Sequence, residues 1–169
     1  MILTGSQIIK EQNKRKIKIS PFEIKNVNPN SYNYRLGRYL KIINGDQEIS
    51  ETIDLSQYPN GYVLTTETLY LGSTYECIGS DYYAMSLIGR SSIGRYGLFM
   101  QISANLGHTG SKHCWTLEIL ATLPIKVYYK MKIGQVSFWK NRGEIIKTKH
   151  HYNNFNIPKE SMMSNDFDR

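Results

Sequence analysis

Hydrophobic and polar residues alternate in many short segments of this chain, and a period of two residues is typical of half-buried β-strands. In the segment 115–121, one face of the predicted strand carries Trp115, Leu117, Ile119 and Ala121. Turn-forming residues separate the segments, so many short strands at close spacing predict an antiparallel sandwich, jelly roll or barrel. The predicted strands cover residues 16–19, 32–36, 39–43, 62–64, 69–71, 75–78, 83–88, 98–102, 115–121, 125–129 and 135–139.

A short helix is predicted ahead of the strands. Thr4 is a suitable N-cap, and Gln7 three residues later completes a capping box, so the helix should run to about Gln12. The far end of the chain is polar and irregular instead. We therefore predict one β domain at residues 1–140, followed by a tail at residues 141–169.

The composition fits one globular domain of 169 residues, with 40% hydrophobic and 21% charged residues. No segment approaches the roughly 20 apolar residues that cross a bilayer, and the first residues do not resemble a signal peptide. We therefore expect a cytoplasmic protein without a membrane partner. Its two cysteines, Cys77 and Cys114, are expected to be reduced and packed.

The chain is basic, with 21 Lys and Arg against 14 Asp and Glu and a net charge of +7. Such a surface attracts phosphates on nucleotides, nucleic acids or lipids. Much of the excess lies near the start, and we interpret that run as a solvated face because no nucleic-acid-binding module accompanies it. The run consists of Lys10, Lys14, Arg15, Lys16 and Lys18.

The residues at 89–97 (GRSSIGRYG) are suited to binding phosphate. Their glycines permit close approach of the backbone, while hydroxyl and guanidinium groups donate hydrogen bonds to phosphate oxygens. If a helical turn begins at Ser91, then Ser91 and Arg95 lie on one face. The segment is either a phosphate cradle or a polar connection between strands.

Glu118 is a carboxylate inside the otherwise apolar segment 115–121. It is an ordinary strand residue if it faces water. If it faces a pocket, burial would raise its pKa and suit it to proton transfer near neutral pH.

Metal chemistry is not favoured. His108, His113 and Cys114 stand close together in the sequence, but the H-x-E and P-C-x-x-C motifs of zinc deaminases are both missing. We therefore expect no metal site formed by side chains.

Several ordered motifs resemble the dCTP deaminases of the dUTPase-like superfamily. The likeness implies a mainly β, distorted jelly-roll or β-clip barrel, assembled as a homotrimer with active sites between subunits. It also implies a deoxycytidine nucleotide as substrate and zinc-independent deamination, with Mg²⁺ bound through the triphosphate. The motifs are residues 17–22, 28–37, 89–98, 115–119 and 133–138.

The resemblance also implies residue roles. Glu118 would take a proton from a water, whose hydroxide attacks C4 of cytosine, and would return the proton as ammonia leaves. Ser91 and the backbone carbonyl of Ala104 would hold that water, and Arg95 would support the reacting site. Nucleotide- or phosphate-binding positions would be Arg90, Ser92, Ile102, His151 and Tyr152.

Some positions depart from the family pattern. His108 stands where the superfamily usually has the Asp that activates water for attack on phosphorus. The tail at 141–169, which by the resemblance would close over the nucleotide, has His151 and Phe155 where the family tends to have Lys and Gln.

The leading hypothesis is a dCTP deaminase that makes dUTP and ammonia, as a step towards dUMP and thymidylate. A bifunctional enzyme that continues to dUMP is the alternative, which His108 makes less favoured. The others are a non-catalytic, nucleotide-sensing trimer and a nucleic-acid-binding protein, the last of which we do not expect.

Overall fold

A computed structural model describes residues 1–43, 49–101, 103–146 and 156–161. These residues form a mainly β structure with a nine-residue helix at the start and a single helical turn in the middle. The helices are α1 (Gly5–Asn13) and α2 (Ser91–Gly94). The strands are β1 (Ile17–Ser20), β2 (Tyr32–Arg35), β3 (Tyr39–Ile43), β4 (Ile49–Asp54), β5 (Tyr62–Leu64), β6 (Leu69–Ser73), β7 (Cys77–Ser80), β8 (Tyr83–Gly89), β9 (Leu98–Met100), β10 (Leu106–Gly107), β11 (Lys112–His113), β12 (Thr116–Ala121), β13 (Ile125–Val127) and β14 (Lys132–Lys140).

Helix α1 begins where the sequence predicts. The Thr4 side chain accepts a hydrogen bond from the backbone N–H of Gln7 at 3.4 Å. The reciprocal half of the capping box is replaced by another contact, because the Gln7 amide donates to Glu11 at 2.9 Å. Ile8 is fully buried and anchors the helix to the core.

The described strands form antiparallel sheets, as the alternating pattern predicts. A five-stranded sheet has the order β4-β3-β6-β12-β9, and a four-stranded sheet has the order β10-β8-β14-β2. Two smaller sheets have the orders β1-β7-β11 and β13-β5. The five-stranded sheet carries Glu118 on β12, and β8 of the four-stranded sheet leads directly into α2. The fold thus places Glu118 on a strand and the segment 89–97 in the connection between β8 and β9.

The core is rich in aromatic side chains. Tyr32, Tyr34, Tyr70 and Phe138 are among the largest fully buried residues. Tyr34 crosses β14 at Gly134, where an added Cβ would come within 2.1 Å of its hydroxyl oxygen, and that hydroxyl donates to the Ile88 carbonyl at 3.0 Å. This contact needs glycine, because any side chain there would displace the ring.

A buried ion-pair network supports the end of β2. Glu76 is 0% exposed, and its carboxylate accepts from the backbone N–H and Nε of Arg35 at 2.8 and 2.6 Å. Arg35 also pairs with Glu23. Burial raises the pKa of Glu76, although the Arg35 hydrogen bonds act in the opposite direction.

Several strand boundaries differ from the prediction. Strand β4 and the two-residue strands β10 and β11 were not predicted, since none contains a clear alternating run. The predicted strand at 98–102 ends at Met100, because Gln101 has a φ of +52° that extended strands do not adopt.

The division into a β domain at 1–140 and a tail at 141–169 stays a prediction. Within the described residues, no helix is long and apolar enough to span a membrane.

Candidate active site

Glu118 lies in the middle of β12, on the face opposite the core. Leu117, Ile119 and Ala121 are buried, while Thr116 and Glu118 are partly exposed, which confirms the predicted alternation. In the described part of the chain the Glu118 carboxylate has no hydrogen-bond or ion-pair partner, and partial burial raises its pKa above the usual value of 4.5. Partial burial therefore favours the protonated form of the Glu118 carboxyl more than full exposure would.

The side chain of Gln101 connects Glu118 to Ala104. Its Oε1 accepts from the backbone N–H of Glu118 at 2.9 Å, and its Nε2 donates to the Ala104 carbonyl at 3.3 Å. The backbone N–H of Gln101 also donates to the Glu118 carbonyl at 3.3 Å. Gln101 is 8% exposed, so it holds the predicted water-binding carbonyl in a set position relative to the predicted proton carrier.

The sequence prediction missed Gln101. A buried glutamine with a positive φ leaves no periodic signal, and its contacts depend on a strand that is distant in the sequence. The one feature of the sequence that could have marked Gln101 as a site residue is its position between the GRSSIGRYG segment and Ala104.

The segment 90–95 contains a single helical turn. Helix α2 spans Ser91–Gly94, and the backbone N–H of Arg95 donates to the Ser91 carbonyl at 3.1 Å, so the condition for Ser91 and Arg95 to lie one turn apart is met. Ser91, Ser92 and Arg95 are exposed. Arg90 is partly buried and donates to the Lys132 carbonyl at 3.4 Å, which ties the segment to β14.

The end of this segment is fixed to the strand that carries Glu118. Gly97 has a φ of +79°, and its carbonyl accepts from the Thr122 backbone N–H at 2.8 Å and from the Thr122 hydroxyl at 3.1 Å. Strand β9 then pairs with β12, with Met100 opposite Ile119. The chain from α2 to Gln101 therefore follows β12 up to Glu118.

The structure joins the predicted catalytic residues only in part. Glu118 and Ala104 are linked through Gln101, whereas no described hydrogen bond or ion pair joins the side chains of Ser91 or Arg95 to Glu118. The predicted positions Ile102, His151 and Tyr152, as well as Phe155, lie outside the described residues. The roles of all these residues stay predictions.

His108 lies in the exposed loop between β10 and β11. The loop is held by its backbone, because Ser111 N–H donates to the His108 carbonyl at 3.2 Å and Gly110 N–H donates to the Ser80 carbonyl at 2.7 Å. His108 lines an open cavity of about 520 Å³ together with Leu106, Arg142 and Ile146. An exposed imidazole that lines a cavity is accessible to a bound molecule.

The side chain of His113 is held by contacts within the protein. Its Nδ1 donates to the Cys114 carbonyl at 3.0 Å, and its ring lies 4.2 Å from the Trp115 ring, centroid to centroid. Burial lowers its pKa, so the neutral imidazole is favoured. Throughout the described ranges, no group of three or more His, Cys, Asp or Glu residues is arranged to hold a metal ion.

A short piece of the tail lies beside Glu118. The Lys159 backbone N–H donates to the Thr116 hydroxyl at 3.2 Å, Pro158 is buried, and Lys41 on β3 pairs with Glu160. Glu118 and Lys41 are both paired with Leu71 of β6, so all these contacts belong to one face of the five-stranded sheet.

Comparisons with known proteins agree with this architecture. A family model described as dCTP deaminase-like matches residues 2–141. A protein of Clostridium acetobutylicum named "dCTP deaminase, dUMP-forming" is 38% identical over 174 residues, which cover 99% of each chain. A protein of the same name from Leptospira biflexa is 40% identical over 153 residues, which cover 88% of this chain and 87% of that protein.

The chain belongs to the dCTP deaminase-like family.

A solved structure supports the fold of this dCTP deaminase-like chain. The crystal structure of 2'-deoxycytidine 5'-triphosphate deaminase from Agrobacterium tumefaciens matches it with a TM-score of 0.69 at 23% sequence identity. The match covers 83% of this chain and 48% of that one, so the chain spans about half the length of this structural neighbour. The predicted family and the mainly β, dUTPase-like fold are confirmed.

Proposed function

We propose that this protein is a bifunctional enzyme that converts dCTP to dUMP, with ammonia and pyrophosphate as the other products. The single observation that carries the deaminase half is the partly buried carboxyl of Glu118, unpaired within the described part of the chain, while the Glu118 backbone N–H is joined through Gln101 to the Ala104 carbonyl. The dUMP product is supported by the names of relatives that are 38% and 40% identical to this chain.

In the deamination step, Glu118 accepts a proton from a water held by Ser91 and the Ala104 carbonyl. The hydroxide adds to C4 of cytosine, the C4–N bond breaks, and the proton leaves with ammonia. The raised pKa of Glu118 serves this cycle, because the same group must both accept and return the proton. Arg95 supports the reacting site, and Arg90 and Ser92 bind phosphates.

In the hydrolysis step, a second water attacks the α-phosphorus of dUTP and pyrophosphate leaves. His108 accepts the proton of that water in this proposal, since it lies in an exposed loop and lines a cavity. Bound with the triphosphate, Mg²⁺ would supply positive charge for the departing pyrophosphate, while Arg90 and Ser92 would bind the phosphates. Neither step needs zinc, and the enzyme acts as a homotrimer.

The second candidate is deamination alone, with dUTP as the final product. It is favoured by His108, because the resemblance places an Asp at this position in enzymes that hydrolyse the triphosphate.

One experiment separates these functions. The protein is incubated with dCTP, and separately with dUTP, in the presence of Mg²⁺, and dUTP, dUMP, ammonia and pyrophosphate are measured. Equal release of ammonia and pyrophosphate from dCTP supports the bifunctional enzyme. Accumulation of dUTP indicates deamination alone, and nucleotide binding with no product formation would overturn the enzymatic proposal in favour of a sensing role.

Two variants assign the steps. Glu118→Gln keeps the shape of the side chain but cannot transfer the proton, so ammonia release should fall by about 10²- to 10⁴-fold. His108→Ala should lose pyrophosphate release from dUTP and retain deamination. Retained hydrolysis in His108→Ala would remove His108 from the mechanism. A zinc chelator should leave ammonia release unchanged.

A further inference from the structure

Cys77 is the first residue of β7, and Cys114 directly follows β11, the strand that pairs with β7. Strands β7 and β11 pair with Gly79 opposite Lys112 and Ile78 opposite His113, so the next opposed pair along that register is Cys77 and Cys114. Residues opposed in an antiparallel pair have Cα atoms about 4.5–5.5 Å apart, which falls within the separation that a disulfide spans. The Cys114 thiol lowers the pKa of Cys77, and the Cys77 thiol raises the pKa of Cys114, as expected of two side chains that interact.

Both thiols are accessible and free. Ile78 and His113 point into the protein and are buried, whereas Cys77 and Cys114 share the other face and are each partly exposed. An oxidant therefore reaches the pair without unfolding of the core.

The two thiols differ in reactivity. The Cys114 hydrogen bond and the charge of Lys18 lower the pKa of Cys77 to about 6, despite the opposing effect of burial. The neighbouring Cys77 thiol and burial raise the pKa of Cys114. Lys18 on β1 is opposite Gly79, so its ammonium belongs to the same face as Cys77. The buried carboxylate of Glu76 is the acidic group near the pair, and it acts on Cys114.

We infer that Cys77 and Cys114 form an intrachain redox pair whose oxidant is a peroxide. The Cys77 thiolate attacks a peroxide oxygen, the O–O bond breaks, and hydroxide leaves, so that Cys77 becomes a sulfenic acid. The Cys114 sulfur then attacks the Cys77 sulfur, and water leaves as the disulfide forms. In total, two thiols and one hydrogen peroxide give one disulfide and two waters.

The disulfide would close a loop that contains much of the candidate site. Residues 77–114 include Ser91, Arg95 and Ala104, and Cys114 is followed directly by the strand segment that carries Glu118. Closing a loop of about 38 residues restricts the unfolded chain, so the oxidised protein should melt roughly 10 °C higher than the reduced protein.

The test uses the full-length reduced protein, with hydrogen peroxide as the oxidant. We expect both thiols to disappear together, with a loss of two hydrogens in the intact mass and a Cys77–Cys114 linkage in the proteolytic peptides. Persistence of both thiols, or linkage between different chains, would overturn the inference. A lower melting temperature on oxidation would also contradict it, since the pair would then be strained.

Two matched variants test the order of the steps. In Cys114→Ser, a sulfenic-acid probe such as dimedone should label Cys77, because the resolving thiol is gone. In Cys77→Ser, labelling of Cys114 should be at least about 10-fold slower, as expected of a thiol with a raised pKa. Equal labelling in the two variants would refute the assignment of Cys77 as the attacking thiol. The outcome does not depend on the proposed enzymatic function, since no step uses a nucleotide.

Discussion

Gln101 is predicted to position the site without touching the nucleotide. Gln101→Ala removes the hydrogen bond from the Glu118 N–H at 2.9 Å and the one to the Ala104 carbonyl at 3.3 Å. Each such bond contributes about 1 kcal/mol, and the part-buried Glu118 N–H loses its side-chain acceptor, so the loss should be roughly 2–3 kcal/mol. For a domain of this size, the melting temperature should fall by roughly 5–10 °C.

The effect on turnover should be larger than the effect on binding. Without Gln101, the Ala104 carbonyl can shift relative to Glu118, and a misplacement of about 1 Å at a reacting centre can cost about 10²-fold in rate. We expect kcat for ammonia release to fall by about 10- to 100-fold, with a KM change below about threefold. Steady-state kinetics below the melting transition measure both quantities.

Two further variants distinguish positioning from simple destabilisation. Gln101→Gly loses the same hydrogen bonds but accepts the φ of +52° without strain, so it should be more stable than Gln101→Ala by about 1 kcal/mol and equally slow. Gln57→Ala, at an exposed glutamine, should change neither the melting temperature nor kcat. If Gln101→Ala kept normal kcat, or if Gln101→Gly recovered activity along with stability, the positioning role would be wrong.

Three other outcomes follow from described contacts. The pKa of Glu118 is raised in the folded protein, so ionisation of this carboxyl lowers the free energy of unfolding as the pH rises above the pKa of Glu in the unfolded chain. Glu118→Gln should therefore melt at the same temperature as the native chain near pH 4 and at a higher temperature near pH 8. A lower melting temperature of the variant at pH 8 would contradict this. If the tail closes over the Glu118 face, Lys41→Glu should raise the nucleotide KM by about fivefold, because it breaks the ion pair between Lys41 and Glu160. The double variant Lys41→Glu/Glu160→Lys should restore the native KM. A KM that stays raised in the double variant would count against this ion pair. Glu76→Gln should cost about 3 kcal/mol in urea unfolding, because it weakens the buried pairing of Arg35, and a loss below about 1 kcal/mol would show that Glu23 suffices.

Local pattern was enough for much of the sheet structure. The alternation at 115–121 predicts which face of β12 is buried, because successive side chains of a strand point in opposite directions whatever the strand pairs with. Thr4 and Gln7 mark the start of α1 for a similar reason, since capping involves residues only three apart.

Contacts between distant segments required the tertiary structure. Strand β4 and the short strands β10 and β11 exist through their partners, because two to six residues without a clear period carry no signal of their own. Gln101 became a candidate only when its amide was found between Glu118 and Ala104.

The two cysteines also combine a property that the sequence predicts with one that only the tertiary structure shows. The sequence predicts two packed thiols from their number, but nothing local to Cys77 or Cys114 indicates that they face each other. Their opposition follows from the register of β7 against β11, which depends on hydrogen bonds between segments more than 30 residues apart. Side-chain direction and capping are thus determined by neighbouring residues, whereas the partners of Glu118 and of the thiols are determined by how the strands pair.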